Sequence, residues 1–313
     1  MKRKQKTKIC LSMIISLLTS LIVLCSCSLN LNDIVSVTQE DTQTAEQDVT
    51  QAVIGEETLN VHFLDVGQGD SIFIELPDEK TMPIDAGENN LGEGIKNYIS
   101  DYGYSKIDYL VATHPHADHI GSMAYIVRNM DIGSVYMPKV STNTKTYENL
   151  LESISDKGLK VISAKAGLTI ADESGYTINV VAPVTIDEDN LNNSSVVIKL
   201  SYGDTSFLFT GDAEKEELET ITDNVSADVL KVGHHGSKTS TTEEFLSRVN
   251  PTYAIISVGK DNSYGHPHNK TLDLLEKFNC KIFRTDVDKT VVFSSDGNTL
   301  SVKSGEHSIE KAA

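Results

Sequence analysis

Thr113-His114-Pro115-His116-Ala117-Asp118-His119-Ile120-Gly121 places three imidazoles and one carboxylate within six consecutive positions. Imidazole and carboxylate are ligands of borderline divalent metals such as zinc, and of manganese where oxygen donors assist. His114 and His116 are two positions apart, so on an extended backbone their side chains point the same way. Pro115 biases His114 towards that extension. Asp118 and His119 stand where an apolar run of helical spacing begins, with Ile120, Met123, Ala124, Ile126 and Val127. The preceding stretch, 107–112, reads as a strand. The segment is therefore expected to run from a strand end into a helix with its four ligand-type side chains facing one cleft. A polar loop capped by Asp118 would not need three histidines.

Working outward, the same pattern of an apolar strand followed by polar chemistry recurs. Phe207-Leu208-Phe209-Thr210-Gly211-Asp212-Ala213 ends a strand at a glycine and an acid, which by itself is also an ordinary helix cap. Leu230-Lys231-Val232-Gly233-His234-His235-Gly236-Ser237 sets adjacent histidines between glycines, a context that permits close approach to a ligand. Neighbouring side chains diverge, so one histidine is expected on metal and the other on substrate. Tyr264-Gly265-His266-Pro267-His268 follows another apolar strand and offers one histidine to an anionic substrate. Seven of the nine histidines fall in these three clusters, which packing does not explain. Asp85, at the end of a short strand, is placed to orient a ligating histidine from behind. Asn193 and Ser194 precede a strand over 196–202 and are candidates for a polar contact. Gly67-Gln68-Gly69-Asp70-Ser71 reads as a turn between strands at 59–66 and 71–76.

The remaining periodicity predicts helices at 95–102, 120–130, 145–156, 213–222, 243–249 and 271–278. Short strands are expected at 82–87, 133–137, 159–162, 176–182, 206–210, 228–232, 254–258, 281–283 and 291–293. A strand-rich first half followed by alternating strand and helix suggests two sheets with helices outside.

The first 26 residues differ from all this. Lys2, Arg3, Lys4, Lys6 and Lys8 precede an apolar run from Ile9 to Leu24, the pattern of a secretory leader. Its end, Leu24-Cys25-Ser26-Cys27, resembles a bacterial lipobox with Cys27 as the lipidated residue. Residues 27–57 are polar and acidic and read as a disordered tether, 58–304 as the folded domain, and 305–313 as a flexible tail. Cys280 would then have no disulfide partner. The chain carries a formal charge of −18, and losing the five leader cations would take it to −23. Such a balance argues against long, sequence-independent tracks on nucleic acid, which rely on Lys and Arg to neutralise phosphates.

The His-x-His-x-Asp-His run at 114–119 resembles the signature of the metallo-β-lactamase superfamily, with Asp85, Asp212 and His235 matching its early aspartate, bridging aspartate and late histidine. More narrowly, Asp65-Val66-Gly67-Gln68-Gly69-Asp70, Gly233-His234-His235-Gly236-Ser237 and Tyr264-Gly265-His266-Pro267 resemble the extracytoplasmic β-lactamase-like domain of ComEC-type competence proteins. The resemblance runs over about 58–304, and phosphorylcholine esterases share the double-histidine motif. It implies an αββα metallo-β-lactamase sandwich and two divalent ions, zinc or manganese. His114 and His116 would hold one ion; Asp118, His119 and His235 the other; Asp212 would bridge. Many members add a histidine between the central motif and the bridging aspartate. Here none lies between His119 and His234, and Asn193 and Ser194 occupy that neighbourhood, so the first metal is expected to be partly water-ligated. His234 and His266 would stabilise the transition state, and Asp118 would accept a proton.

The function so implied is an extracytoplasmic, lipid-anchored metal-dependent hydrolase, first a phosphodiesterase of nuclease type, acting at nucleic-acid ends or single strands. The alternatives are a teichoic-acid or phosphorylcholine-type phosphoesterase and a non-catalytic ligand- or partner-binding lipoprotein. With a single candidate membrane segment, the chain has no channel of its own.

Overall fold

The computed structural model describes residues 58–173, 175–305 and 307–311. The leader, Cys27 and the tether expected over 1–57 lie outside the described residues. In chain order the strands are β1 (Leu59–Phe63), β2 (Ile72–Glu75), β3 (Lys106–Val111), β4 (Asp131–Met137), β5 (Val161–Ser163), β6 (Leu168–Glu173), β7 (Tyr176–Ala182), β8 (Val197–Tyr202), β9 (Thr205–Phe209), β10 (Val229–Lys231), β11 (Tyr253–Ile256), β12 (Lys281–Arg284), β13 (Val291–Ser295) and β14 (Leu300–Ser304). The helices are α1 (Gly92–Asp101), α2 (Ala117–Ile120), α3 (Met123–Asn129), α4 (Lys145–Asp156), α5 (Lys215–Leu218), α6 (Glu243–Val249), α7 (Asn269–Lys277) and α8 (Thr285–Asp288). Among the described residues no helix is long and apolar enough to cross a membrane.

Two sheets face each other. One joins the order β14-β13-β1-β2 to β3-β4-β5 through Ile84, which bridges Ile72 on one side and Val111 on the other. The second runs β12-β11-β10-β9-β8-β7-β6. Its β6–β9 half is an antiparallel meander, whereas β9, β10, β11 and β12 are parallel, with α6 and α7 as crossovers. Alternation on β1 sends Leu59, Val61 and Phe63 into the space between the sheets, against Phe207, Phe209 and Phe293. A second core packs α1, α3 and α4 on the first sheet, and a third packs α5, α6 and α7 on the other. The architecture is the expected αββα sandwich. Strands covered on both faces read as continuous apolar runs, which is why 207–209 and 254–256 lack a polar face.

Several expected elements are cut short by local hydrogen bonding. The helix expected over 213–222 is reduced to α5. Asp212 N–H donates to Ser195 Oγ (3.1 Å), so the chain at 211–213 serves the site and the helix starts after it. Thr220 then folds its hydroxyl back on the Glu217 carbonyl (2.7 Å), a side-chain bond that competes with helix propagation. The helix expected over 120–130 is two pieces, α2 and α3, broken at Gly121-Ser122. Residues 307–311, within the stretch expected as a flexible tail, dock on the domain. Ile309 N–H donates to the Asp65 carbonyl (2.7 Å) and the Ser308 hydroxyl to its carboxylate (2.6 Å).

Phe293 is the hub of the inter-sheet aromatic packing, with ring contacts to Phe63, Phe207, Tyr253 and Phe283 at 5.3–6.2 Å. Phe293→Ala should lower unfolding stability by about 3–5 kcal/mol through the lost contacts and residual cavity. Val287→Ala, at a position 66% exposed, should stay within about 0.5 kcal/mol of the parent. Denaturant titration of both variants checks the contrast.

Candidate metal centre

The site lies where the carboxyl ends of β3, β9, β10 and β11 meet, the usual place for ligands beside parallel strands. Asp85 sits beneath it, wholly buried. Its carboxylate accepts Thr113 N–H (2.8 Å), the Thr113 hydroxyl (2.6 Å) and His119 Nδ1–H (2.7 Å). Thr113 Oγ1 in turn meets His114 Nδ1 at 3.1 Å. His235 Nδ1 donates to the Ser257 carbonyl at the end of β11 (2.9 Å), an oxygen that can only accept. All three imidazoles are thus fixed by Nδ1, which leaves Nε2 with its lone pair for the cleft.

These Nε2 atoms converge on Asp212. Its carboxylate lies 3.9 Å from His114 Nε2, 3.3 Å from His119 Nε2 and 3.5 Å from His235 Nε2. Asp118 closes the open side, 3.3 Å from His235 Nε2 and 4.0 Å from His119 Nε2, with its side chain 27% exposed. His116 joins His114, Nδ1 to Nε2, at 2.9 Å. Two groups of potential ligands follow, His114-His119-Asp212 and Asp118-His119-His235, each with its donor atoms within 4.8 Å of one another. His119 Nε2, His235 Nε2 and one oxygen of Asp212 are buried without any hydrogen-bond partner in the protein. Buried polar atoms are rarely left so, and this donor set of imidazoles and carboxylates fits a divalent cation.

The electrostatics agree. Burial alone would raise the Asp212 and Asp118 carboxyls, but His119 foremost, with His235, outweighs it and leaves both well below the usual range. Burial disfavours charge on His235, yet Asp212, Asp118 and Asp70 raise it to about 9. The same balance, led by burial and overturned by Asp212 and Asp85, holds His119 well above its ordinary value. His114 goes the other way, pushed down by burial and by His119. The carboxylates draw positive charge into the cleft, which is the demand a bound cation satisfies.

His234 and His235 do diverge, as their adjacency implies. His234 Nδ1 contacts Glu214 Oε1 (3.2 Å), and its Nε2 stays 3.8 Å from Asp212 on the more exposed side. His266 stands edge-on to His234, ring centroids 5.5 Å apart, and burial together with the neighbouring histidines lowers it to about 4. Asn193 supports the site indirectly, its Oδ1 accepting Glu214 N–H (3.1 Å). Ser194 turns away and bonds Asp187; its neighbour Ser195 holds Asp212 instead.

Lys231 escaped the sequence reading as a site residue, and Asp70 stood there only within a turn evenly balanced between structure and site. Asp70 follows the tight Gly67-Gln68-Gly69 turn, where a Cβ on Gly69 (φ +124°) would overlap the Asp118 carbonyl. Its N–H donates to that carbonyl (3.1 Å), and its carboxylate lies 3.4 Å from His235 Nδ1. Buried Lys231 forms an ion pair with Asp70 and donates to the Gly211 carbonyl (3.1 Å), one residue before Asp212. A lysine inside the apolar run Val229-Leu230-Lys231-Val232 was the signal available in the sequence. Burial pushes the Asp70 carboxyl up, and Lys231 with His235 more than reverses this. Asp70, Asp85 and His119 also form a compact group, in which Lys231 pairs with one Asp70 oxygen and Thr113 bonds Asp85, while Asp70 Oδ1 has no hydrogen-bond partner in the protein. Lys231→Met should cost about 3–5 kcal/mol by leaving a buried carboxylate unmatched. Adding Asp70→Asn should recover part of that loss. Urea unfolding of the single and double variants decides it, and equal stability of the two would refute the pairing.

The metallo-β-lactamase superfamily model matches residues 64–260. The chain is 35% identical over 255 residues to ComE operon protein 3 of Bacillus subtilis, covering 74% of this chain and 32% of that protein. It is 28% identical over 240 residues to Recombination protein 2 of Haemophilus influenzae, covering 75% and 28%. The chain thus spans about a third of the length of these curated relatives. Among solved structures, Igni18, described as a metallo hydrolase of Ignicoccus hospitalis, superposes with a TM-score of 0.51 at 17% identity, over 75% of this chain and 98% of that one. With the sandwich, the strand-end histidines and the family match in agreement, the chain belongs to the metallo-β-lactamase superfamily.

Proposed function

We propose that this protein is a metal-dependent phosphodiesterase that acts on one phosphodiester at a time. Nucleic acid is the first substrate class, at ends or flexible single strands, and a cell-envelope phosphoester of teichoic-acid or phosphorylcholine type the second. One observation carries the reading: three buried donor atoms, on His119, His235 and Asp212, point into one cleft with no partner in the protein. The similarity to a protein named for recombination supports nucleic acid as substrate. In this reading His114, His116, Asp118, His119, His235 and Asp212 would hold up to two divalent ions, and His119 lies 3.3 Å from Asp212. Zinc or manganese suits such mixed nitrogen and oxygen donors. When bound, a pair of such ions supplies Lewis acidity to a phosphoryl oxygen and acidifies water.

The protein's own groups do the rest. Glu214 holds His234 by Nδ1, which leaves Nε2 facing the cleft; in the imidazolium form, with a proton on each ring nitrogen, Nε2 would donate to a phosphoryl oxygen as charge builds in the transition state. His266 stays neutral and lines the same wall. Asp118, ionised and partly open to solvent, accepts the proton released as water attacks. The leader-like residues 1–26, Cys27 and the polar stretch to 57 support an extracytoplasmic position on a lipid anchor.

Chelation should lower the melting temperature and abolish activity together, because an ion bound only by the native state stabilises it by mass action. His235→Ala should lose metal by elemental analysis. His234→Ala should keep its metal and lose roughly 10²–10³-fold in turnover, the usual effect of removing one transition-state donor. Equal metal loss in both variants would reject the division of labour. Full metal content with no turnover of any phosphoester would favour the non-catalytic binding protein.

The substrate form gives a separate check. A small chromogenic diester and linear single strands should be hydrolysed, and covalently closed duplex only slowly, since an acidic surface has few cations for a duplex track. Efficient internal cutting of duplex with a steep salt dependence would defeat this expectation.

A further inference from the structure

Tyr264 is 64% exposed, the most exposed aromatic side chain among the described residues. It does not hang loosely. Asn262 braces the loop from inside: its amide donates to the Gly259 carbonyl (3.0 Å) and the His266 carbonyl (2.6 Å), and its Oδ1 accepts Tyr264 N–H (3.2 Å) and His266 N–H (3.0 Å). Gly259 N–H is tied in turn to Gln68 Oε1 (3.2 Å), in the turn that abuts Asp118. The Tyr264 ring lies nearly parallel to that of His266, 23° between planes and 5.8 Å between centroids. His266 stands edge-on to His234 at 5.5 Å, and 6.4 Å from His235. A row of rings therefore leads from the cleft to solvent and ends in an open aromatic face.

An exposed aromatic ring, carried on a loop whose backbone is braced by four hydrogen bonds to one asparagine, points to a function other than core packing. Its inner face is covered by His266, and its exposure leaves the outer face free. A flat group tethered to a phosphate in the cleft would stack there. Nucleobases have such a face, and stacking on an aromatic side chain is tolerant of base identity. Glycerol- and ribitol-type envelope phosphoesters have none. We propose that Tyr264 is the stacking platform for the nucleobase next to the phosphodiester in the cleft, and so selects nucleic acid over aliphatic phosphoesters. This rests on the phosphodiesterase reading for the position of the phosphate.

The test is calorimetric binding to the full chain loaded with manganese, using thymidine 5′-monophosphate, glycerol 3-phosphate and phosphocholine as probes. Wild type should prefer the nucleotide. Tyr264→Ala should weaken nucleotide binding roughly ten-fold or more and leave glycerol 3-phosphate unchanged, and Tyr264→Phe should retain the preference. Identical behaviour of wild type and Tyr264→Ala towards the nucleotide, whether both bind or neither does, overturns the proposal. So does a loss confined to phosphocholine, which would make the ring a cation–π face. So does an equal loss for all three probes, the mark of a disturbed loop. Turnover of a nucleotidyl p-nitrophenyl ester is measured alongside. A Tyr264-dependent preference without turnover upholds the platform and removes the hydrolytic reading; turnover without the preference does the reverse.

Discussion

Asp85 is buried to 1% exposure, and its one carboxylate receives a backbone N–H, a hydroxyl and an imidazole. Burial makes such a group costly unless each lone pair is used, and here the bonds define the site. The His119 bond selects that ring's tautomer. The Thr113 bond fixes the hydroxyl that meets His114, so a single carboxylate orients two of the imidazoles that face the cleft. The Thr113 carbonyl also accepts Val196 N–H (2.9 Å) from just before β8, across to the other sheet. The separation of the sheets at this edge and the aim of the histidines therefore depend on the same side chain.

Charge is arranged with equal economy. The chain is strongly acidic, and four carboxylates, Asp70, Asp85, Asp118 and Asp212, lie within a few ångströms of His119. They are not equivalent. Asp70 is paired through one oxygen with Lys231, and Asp85 is held by hydrogen bonds, so much of their charge is offset inside the protein. Asp118 and Asp212 are matched only by imidazoles whose Nε2 atoms they face. Those are the two carboxylates free to exchange an imidazolium proton for a metal ion, and in such sites metal binding releases protons. Lys231 has a second consequence. By pairing with Asp70 behind His235, it offsets part of a third carboxylate charge at the edge of the cleft.

Much of this was legible in the sequence where a pattern had one physical cause. Crowded histidines at the end of an apolar run have few purposes other than a ligand set, and in the structure His114, Asp118, His119, Asp212 and His235 lie within reach of one another, with His116 bonded to His114. Helices with a side-chain cap were readable almost to the residue: Thr144 caps α4 and Thr242 caps α6. Two of the edge strands were not. β6 and β14 are paired on one side only and largely exposed, so neither carries the apolar run that marks a strand covered on both faces. Sequence left the Gly67–Ser71 stretch evenly balanced between turn and site, because the meaning of Asp70 depends on Lys231, 161 positions away, and on a turn packed against Asp118. Ser194 and Ser195 were indistinguishable until the 3-10 turn at Leu191–Ser194 set which hydroxyl faces Asp212.

The backbone carries a final constraint. Asp85, His234 and His235 all adopt left-handed conformations, with φ of +59°, +49° and +52°, a region that non-glycine residues occupy at a cost of about 1–3 kcal/mol each. Glycine would remove that cost at any of the three, but it would also remove the side chain. At His234 and His235 the flanking Gly233 and Gly236 provide the room, while His234 N–H bonds the Gly211 carbonyl (3.1 Å) and His235 Nδ1 bonds Ser257. Two consecutive left-handed residues turn the chain sharply enough to send one imidazole towards Asp118 and Asp212 and the next towards Glu214. A regular helix or strand would separate neighbouring side chains by about 100° or 180° and could not place both on the rim of one cleft. The strain at this turn is the condition for two adjacent histidines to serve the same site from different sides.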